Sequence, residues 1–353
     1  MSIVLEHVTK LYGEEPVVRD LSLAVEPGEL FVLLGASGSG KSTLLRMIAG
    51  LTPTDGGTIR LDGRDVTHLP PQQRGVGFVF QNYSLFQHLT AAQNIAFGLD
   101  VQRMPRAQKQ QRVAELLELI GLAEYGDRKP AQLSGGQQQR IAVARALAQN
   151  PHVLLLDEPF GALDVKIRGQ LRHNLRAIQQ RLKVTTILVT HDQDEAFELA
   201  DRIGVIDDGR LLEVGKPAQL YRKPEQRFTA TFLGNVNLLR GTCNGAYLHF
   251  DDMKLPIKDG QEHFSGQPVD VMTRPESIFL TSTREGQHGH VLGKGTVIAM
   301  DFAGPMERIV IRLEHGTELQ VLTNMNRTHE LGLHLGTEVW AGMRDYHLLP
   351  VEG

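Results

Sequence analysis

The segment Gly35-Ala36-Ser37-Gly38-Ser39-Gly40-Lys41-Ser42 combines glycine, hydroxyl and lysine at the spacing G-x-x-x-x-G-K-S, with Thr43 next. Glycines allow consecutive backbone N–H groups to face an anion without a Cβ in the way. A helix that begins near Lys41 would point its positive end at the same anion. Lys41 could then contact β- and γ-phosphates, and the Ser42 hydroxyl could bind Mg²⁺. The segment therefore predicts a site for a nucleotide phosphate chain.

Two acids follow the apolar run Val153–Leu156. Asp157, at the end of a strand, could hold Mg²⁺ through water, and Glu158 could accept a proton from an attacking water. A pair of acids can also cap the next helix, which alone would be the commoner explanation. The phosphate loop upstream favours the catalytic interpretation.

The stretch Leu133-Ser134-Gly135-Gly136-Gln137 also offers a hydroxyl and backbone N–H groups. It predicts a helix N-terminus with Ser134 as the N-cap residue. The same groups could bind a γ-phosphate, so the structural and the functional interpretations are compatible.

Short apolar runs alternate with helical patterns over the first two thirds of the chain. The predicted buried strands are Glu29–Gly35, Val76–Phe80, Val153–Leu156 and Thr185–Thr190. The predicted helices are Arg106–Ile120, Gly136–Gln149, Lys166–Leu182 and Gln193–Ala200. Buried strands alternating with helices predict an α/β layer fold with a largely parallel sheet.

The pattern changes near Gly234, where alternating segments separated by glycine-containing turns replace the helical periodicity. The predicted strands there are Gln267–Thr273, Gly295–Met300, Arg308–Leu313 and Glu338–Met343. These segments predict an antiparallel barrel or sandwich, and we place the domains at 1–235 and 236–353. We interpret the basic residues of this second domain as a solvated face (Lys254, Lys258, Arg274 and Arg284).

Length, net charge and cysteine content narrow the classes of protein to which this chain could belong. The 353 residues fit two domains of about 150 residues each. The net charge of −4 argues against broad electrostatic binding of nucleic acid. A single cysteine fits a reducing cytosol, and we expect neither a signal peptide nor a transmembrane helix.

Taken together, the phosphate loop, the acid pair and the Ser134–Gln137 stretch resemble the ATP-binding cassette (ABC) transporter ATPases, which have the P-loop NTPase fold. The resemblance implies ATP and Mg²⁺ as cofactors and a head-to-tail homodimer. Ser134, Gly135, Gly136 and Gln137 of one chain would close over ATP held by Lys41 of the other.

The resemblance assigns further roles in chain order. Tyr12 would stack on adenine, Gln81 would contact Mg²⁺ and the attacking water, and His191 would sense the γ-phosphate. Asp164, at the end of Gly161–Asp164, would lie at the dimer interface. Tyr12 could instead be a packed strand residue, and His191 could be structural.

The second domain resembles the oligonucleotide/oligosaccharide-type (TOBE-like) β-barrel that follows many import ATPases, partly through Arg274-Pro275-Glu276. The implied partners are two transmembrane permease subunits and a periplasmic or extracellular solute-binding protein, with the ATPase bound peripherally at the cytoplasmic face of the inner membrane. Residues 82–86 and 232–239 are most like those of sulfate/thiosulfate importers. Ferric iron, molybdate, polyamine or sugar import are alternatives. A non-transport ABC ATPase and a regulatory anion-sensing module are alternatives from other classes.

Overall fold

The computed structural model describes residues 2–161, 165–250, 253–257, 261, 264–284 and 289–351. These residues belong to two compact units, Met1–Pro217 and Ala218–Gly353. The division lies before two short helices, whereas the sequence pattern changes near Gly234, shortly before the first strand of the second unit begins at Asn237. The boundary at residues 235 and 236 stays a prediction about domain organisation.

The first unit contains an α/β structure together with a small antiparallel sheet. Its elements are β1 (Ile3–Tyr12), β2 (Glu15–Val25), β3 (Leu30–Leu34), α1 (Lys41–Ala49), β4 (Gly56–Leu61), β5 (Arg64–Asp65), β6 (Val76–Val79), α2 (Ala91–Val101), α3 (Arg106–Leu119), α4 (Gly135–Leu147), β7 (Val153–Asp157), α5 (Val165–Leu182), β8 (Thr185–Thr190), α6 (Gln193–Leu199), β9 (Arg202–Asp207) and β10 (Arg210–Gly215).

The main sheet has the strand order β10-β9-β3-β8-β7-β6. All neighbours in it are parallel except β10, which pairs antiparallel with β9. Every residue of β3, β7 and β8 is buried, as expected for parallel strands covered on both faces. The predicted parallel sheet is confirmed, and the carboxyl ends of β3, β6, β7 and β8 lie along the same edge.

The antiparallel sheet β2-β1-β4-β5 was not predicted from the sequence. Strand β1 pairs with β2 through three register shifts, and His7 has a positive φ of 53°. Each irregularity interrupts the period-2 alternation that reveals a half-buried strand. The apolar pattern of β1 is therefore too broken to read as one strand of ten residues.

The second unit is built mainly from two five-stranded antiparallel sheets, β13-β12-β11-β14-β20 and β15-β19-β16-β17-β18. Its elements are α7 (Pro217–Arg222, which begins at the division), α8 (Arg227–Phe232), β11 (Asn237–Asn244), β12 (Tyr247–Phe250), β13 (Met253–Pro256), β14 (Pro268–Thr273), β15 (Ile278–Thr281), β16 (His290–Ala303), β17 (Met306–Leu313), β18 (Glu318–Asn324), α9 (Met325–Glu330), β19 (Glu338–Met343) and β20 (His347–Pro350). Residues from both sheets share one apolar core, including Val271, Ile311 and Leu319. The predicted antiparallel β-domain is confirmed.

Arg274 corrects the interpretation of the basic residues as a solvated face. Its side chain is only 4% exposed, and its guanidinium donates to the carbonyls of Tyr221, Ala230, Gly234 and Asn235. Lys254 and Arg284 are exposed as expected, and Lys258 lies outside the described residues. No sequence pattern predicts the burial of Arg274, because its acceptors are main-chain groups of a separate segment. Among the described helices, none has the length and apolar character needed to cross a lipid bilayer.

Candidate functional site

The loop between β3 and α1 is shaped by glycines that have no room for a side chain. A Cβ on Gly35 would lie 2.2 Å from the carbonyl oxygen of Ile206. Gly40 has a φ of +94°, and a Cβ there would lie 2.4 Å from the carbonyl oxygen of Val17. The loop can therefore pass close to the neighbouring backbone and turn directly into α1.

Lys41, the first residue of α1, is buried with 4% exposure. Its Nζ donates to the carbonyl oxygens of Gly35 at 2.8 Å and Ala36 at 2.7 Å, and to Ser39 Oγ at 3.2 Å. Burial lowers the pKa of Lys41, and the negative charges of Glu158 and Asp157 partly oppose that shift. The ammonium is thus held by neutral acceptors that an anion could replace.

A pocket of about 270 Å³ opens beside this ammonium. It is lined by Val17, Ser37, Gly38, Ser39, Gly40, Lys41, Ser42, Thr43 and Glu158. The loop predicted from the sequence thus forms most of the wall. Val17 was missed, because it comes from β2 and carries no chemical signal of its own.

Ser42 and Asp157 meet although 115 positions separate them. Ser42 Oγ donates to Asp157 Oδ1 at 2.7 Å, and the Arg46 guanidinium lies 4.0 Å from Asp157 Oδ2. A hydroxyl and a carboxylate are oxygen donors of the kind Mg²⁺ prefers. Within the described ranges no three His, Cys, Asp or Glu side chains cluster as a metal site. The pair therefore fits a Mg²⁺ that takes its remaining ligands from phosphate and water rather than an all-protein cage.

Glu158 lies immediately after β7 with a φ of +44°, a conformation that non-glycine residues rarely adopt. Its N–H donates to the Val189 carbonyl on β8 at 3.1 Å. Gln81 Nε2 donates to its Oε2 at 3.1 Å, and His191 Nδ1 lies 3.3 Å from its Oε1. The structure thus brings together three predicted residues from the ends of three neighbouring strands. Backbone strain of this kind concentrates at functional sites.

The turn that carries His191 is fixed by its neighbours. Thr190 Oγ1 donates to Glu195 Oε2 at 2.6 Å and accepts from the Asp192 N–H at 3.0 Å. Asp192 in turn caps α6 by accepting from the N–H groups of Asp194 and Glu195. The His191 side chain remains 53% exposed, so it is free to meet a ligand as well as Glu158.

Ser134 is the N-cap residue of α4, as predicted. Its Oγ accepts from the Gln137 N–H, and Gln137 Oε1 accepts from the Ser134 N–H at 2.9 Å. Ser134 and Gly135 are exposed, while Gly136 is buried. Among the described residues that line the Lys41 pocket, none comes from this turn.

Tyr12 and Asp164 are the two further predicted residues. Tyr12, the last residue of β1, is 54% exposed and is not part of the pocket wall. The Lys10 ammonium lies 5.5 Å from its ring centre. Asp164 lies outside the described residues.

The sequence of this chain matches known protein families and individual relatives. A family model for the ABC transporter domain matches residues 18–161, and a model for the TOBE domain matches residues 271–350. The sulfate/thiosulfate import ATP-binding protein CysA of Gloeobacter violaceus is 56% identical, over 99% of this chain and 96% of that relative. This chain belongs to the ABC transporter ATP-binding proteins. Membership of this family implies that the chain binds ATP.

The chain is also similar to ATP-binding proteins of ABC importers for different solutes. The CysA protein of Thermosynechococcus vestitus is 43% identical over 99% of both chains. The spermidine/putrescine import ATP-binding protein PotA of Oleidesulfovibrio alaskensis is 40% identical, over 90% of this chain and 86% of that relative. The predicted fold class, an ABC ATPase domain followed by a TOBE/OB-like β-domain, is confirmed.

A solved structure resembles part of this ABC protein. It is described as the dimeric, post-hydrolysis state of the ATP-binding cassette MJ0796 bound to ADP and Pi. The match has a TM-score of 0.55 and 34% identity, and covers 61% of this chain and 98% of that one.

Proposed function

We propose that this chain is the ATP-hydrolysing subunit of an ABC importer for sulfate or thiosulfate. One observation carries the ATPase assignment: the Glu158 carboxylate is held between Gln81 and His191 at the wall of a pocket that also contains the buried Lys41 ammonium. A base and an anion-binding cation therefore face the same space.

In this proposal the glycine loop and Lys41 bind the phosphates of ATP, with Tyr12 stacking on the adenine. Exchange of the Gly35 and Ala36 carbonyls for phosphate oxygens strengthens the contacts of Lys41, because charged acceptors bind an ammonium more tightly than neutral ones. Ser42, Gln81 and Asp157 would hold Mg²⁺. The ion would supply charge neutralisation of the phosphates.

Glu158 acts as the general base in the same scheme. The amide of Gln81 orients one carboxylate oxygen, and His191 lies beside the other, so the carboxylate can hold a water and take its proton. His191 also remains exposed enough to reach the γ-phosphate. Positioning and charge stabilisation account for the chemistry of phosphoryl transfer.

The catalytic unit in this proposal is a homodimer. The exposed Ser134 turn offers a hydroxyl and N–H groups that do not line the pocket of their own chain. A partner chain could present them to ATP from the opposite side, with Asp164 near the interface. The dimeric MJ0796 cassette, 34% identical, supports this arrangement.

The solute and the partners are inferred from relatives. The 56% identical CysA protein favours sulfate or thiosulfate, and the 40% identical PotA protein supports a polyamine as the second candidate. Import requires membrane permeases, so two permease subunits and a solute-binding protein complete the system, with this chain peripheral at the cytoplasmic face.

Hydrolysis is tested with Glu158→Gln, which keeps the shape of the side chain and removes its basicity. We expect phosphate release to fall at least a hundredfold while ATP binding is retained. Light scattering with ATP and Mg²⁺ should then detect a stable dimer. Glu276→Gln, an exposed glutamate in the second unit, is the control. If Glu158→Gln hydrolysed ATP at the wild-type rate, Glu158 would not be the general base. If this variant stayed a monomer with ATP and Mg²⁺, the composite site between two chains would be refuted.

The solute is tested by transport. The chain is expressed in two bacterial strains, one that lacks only the ATP-binding subunit of its sulfate importer and one that lacks only that of its spermidine importer. We expect uptake of labelled sulfate in the first strain and no uptake of labelled spermidine in the second. The reverse result would assign the polyamine and leave the ATPase assignment intact.

A further inference from the structure

Arg145, near the end of α4, holds the backbone just after Gln81. Its two terminal nitrogens donate to the carbonyl oxygens of Ser84 at 2.8 Å and Tyr83 at 2.9 Å. The guanidinium also lies 5.5 Å from the centre of the Phe86 ring. A single side chain thus fixes two consecutive peptide groups, two and three positions beyond Gln81.

The turn that Arg145 holds is one the chain does not favour by itself. Tyr83 and Ser84 both have positive φ, 59° and 46°, which L-residues rarely adopt in succession. Tyr83 is buried with 6% exposure, and burial raises its pKa to about 12. Such a backbone persists only where surrounding contacts determine it, and Arg145 supplies two of them.

Asn94 of α2 holds the following residues. Its side chain accepts from the Phe86 N–H at 2.9 Å and donates to the carbonyls of Phe86, Leu89 and Thr90. Arg145 and Asn94 together fix residues 83–90 to α4 and α2. Asn82 is the one residue between Gln81 and this firmly held segment, and the Tyr83 N–H also donates to the Phe80 carbonyl at 2.8 Å, across Gln81.

The segment that Arg145 holds begins two residues after Gln81, whose amide donates to Glu158 Oε2 at 3.1 Å. We propose that Arg145 is a positioning residue that sets Gln81 against Glu158. This inference rests on the proposed function, because Gln81 and Glu158 have their roles there.

The geometry requires arginine in particular. The planar fork reaches two neighbouring carbonyls at once, whereas a lysine ammonium is a single point on a flexible stem. Arg145→Lys keeps the charge and loses one of the two fixed contacts. Arg140→Lys is the matched control, because Arg140 lies on the same helix and donates to the Ile120 carbonyl, outside the Gln81 segment.

The experiment is a double-mutant cycle on the full chain, with kcat and KM of steady-state ATP hydrolysis as the readouts. Arg145→Lys and Arg140→Lys are each made in the wild type and in Gln81→Ala. We expect Arg145→Lys to lower kcat roughly tenfold, with KM for ATP within about twofold, and Arg140→Lys to change both by less than about twofold. In the Gln81→Ala background, Arg145→Lys should have an effect below about twofold, because its target is gone.

Equal losses for the two arginine variants, or the same loss from Arg145→Lys with and without Gln81, would overturn the inference. Should Arg145→Lys not fold, Arg145→Gln replaces it, since its neutral amide can donate to one of the two carbonyls and carries no charge that would need a partner. The same non-additivity with Gln81→Ala is then expected, and additivity refutes the proposal. Failure of the proposed function can be told apart from failure of this inference. If the proposed function were wrong, Glu158→Gln would hydrolyse ATP at the wild-type rate.

Discussion

The Lys41 loop of the first unit and the Arg274 corner of the second unit both bury a cation among main-chain carbonyls. Each side chain is 4% exposed, and burial lowers the pKa of each. Their surroundings differ. Lys41 borders an open pocket, whereas Arg274 donates from Nε and both terminal nitrogens to the carbonyls of four residues and stacks on Tyr221.

The difference shows that a buried charge does not by itself mark a binding site. Lys41 can exchange two carbonyls of its own loop for a ligand without leaving other segments unpaired. The acceptors of Arg274 come from α7, α8 and the segment that follows them. Loss of its bonds would therefore separate parts of the second unit, and this arginine stabilises the fold.

Lys41→Ala should have the largest effect on function. Because Lys41 is the cation facing the phosphates in our proposal, we expect ATP affinity to fall about a hundredfold, near 2.7 kcal/mol. Stability should change little, since removal of a buried ammonium also removes its desolvation cost. Isothermal titration with ATP measures the affinity. Unchanged affinity would contradict the distinction between the two cations.

Arg274→Ala should lower the stability of the fold and leave ATP affinity nearly unchanged. The carbonyls it leaves would be buried without donors, and we expect a loss of about 2 kcal/mol in the free energy of unfolding. Trp340, the single tryptophan of the chain, lies on β19 in the second unit, so its fluorescence during urea unfolding reports this loss. ATP affinity should stay within about twofold of the wild type. A hundredfold loss of ATP binding would make Arg274 part of the site.

Gly40→Ala tests the loop that presents Lys41. An added Cβ would approach the Val17 carbonyl, and φ near +94° is unfavourable for alanine. We expect ATP affinity to fall roughly tenfold, because the shifted loop no longer directs its N–H groups. Gly38 also has a positive φ, but a Cβ there would have nothing within 4 Å. Gly38→Ala therefore carries the conformational cost of a positive φ without the steric clash expected for Gly40→Ala. Equal effects of the two variants would attribute the loss to φ alone.

The pH dependence of ATP binding should show the smallest effect. The pKa of Lys41 is lowered from 10.5, so its ammonium loses the proton at a lower pH than an ordinary lysine. ATP affinity should therefore fall a few-fold as pH rises from about 7 to 10, and Lys41→Ala should lack this dependence. The free energy of unfolding, measured by Trp340 fluorescence, should not show the same dependence on pH as ATP affinity. The reason is that Arg274 stays protonated in this pH range. An identical slope in Lys41→Ala would exclude Lys41 as the titrating group.

Much of the site was predictable because its chemistry is local. The phosphate loop, the N-cap at Ser134 and the acids after β7 depend on neighbouring residues, and short-range spacing records such features. The β1–β2 pairing was not predictable, since bulges break its alternation. Arg145 was missed for another reason: its acceptors lie 61 and 62 positions away and are main-chain atoms, which have no residue type to recognise.

The sequence by itself determined that a nucleotide-phosphate loop, an acid pair and a capped glycine turn exist on an α/β unit followed by a β-domain. Only the tertiary structure decided which of these groups meet. The strand order places β6, β7 and β8 side by side, and this adjacency brings Gln81, Glu158 and His191 together. Strand order is set by the burial of whole sheet faces. No spacing within one segment encodes it.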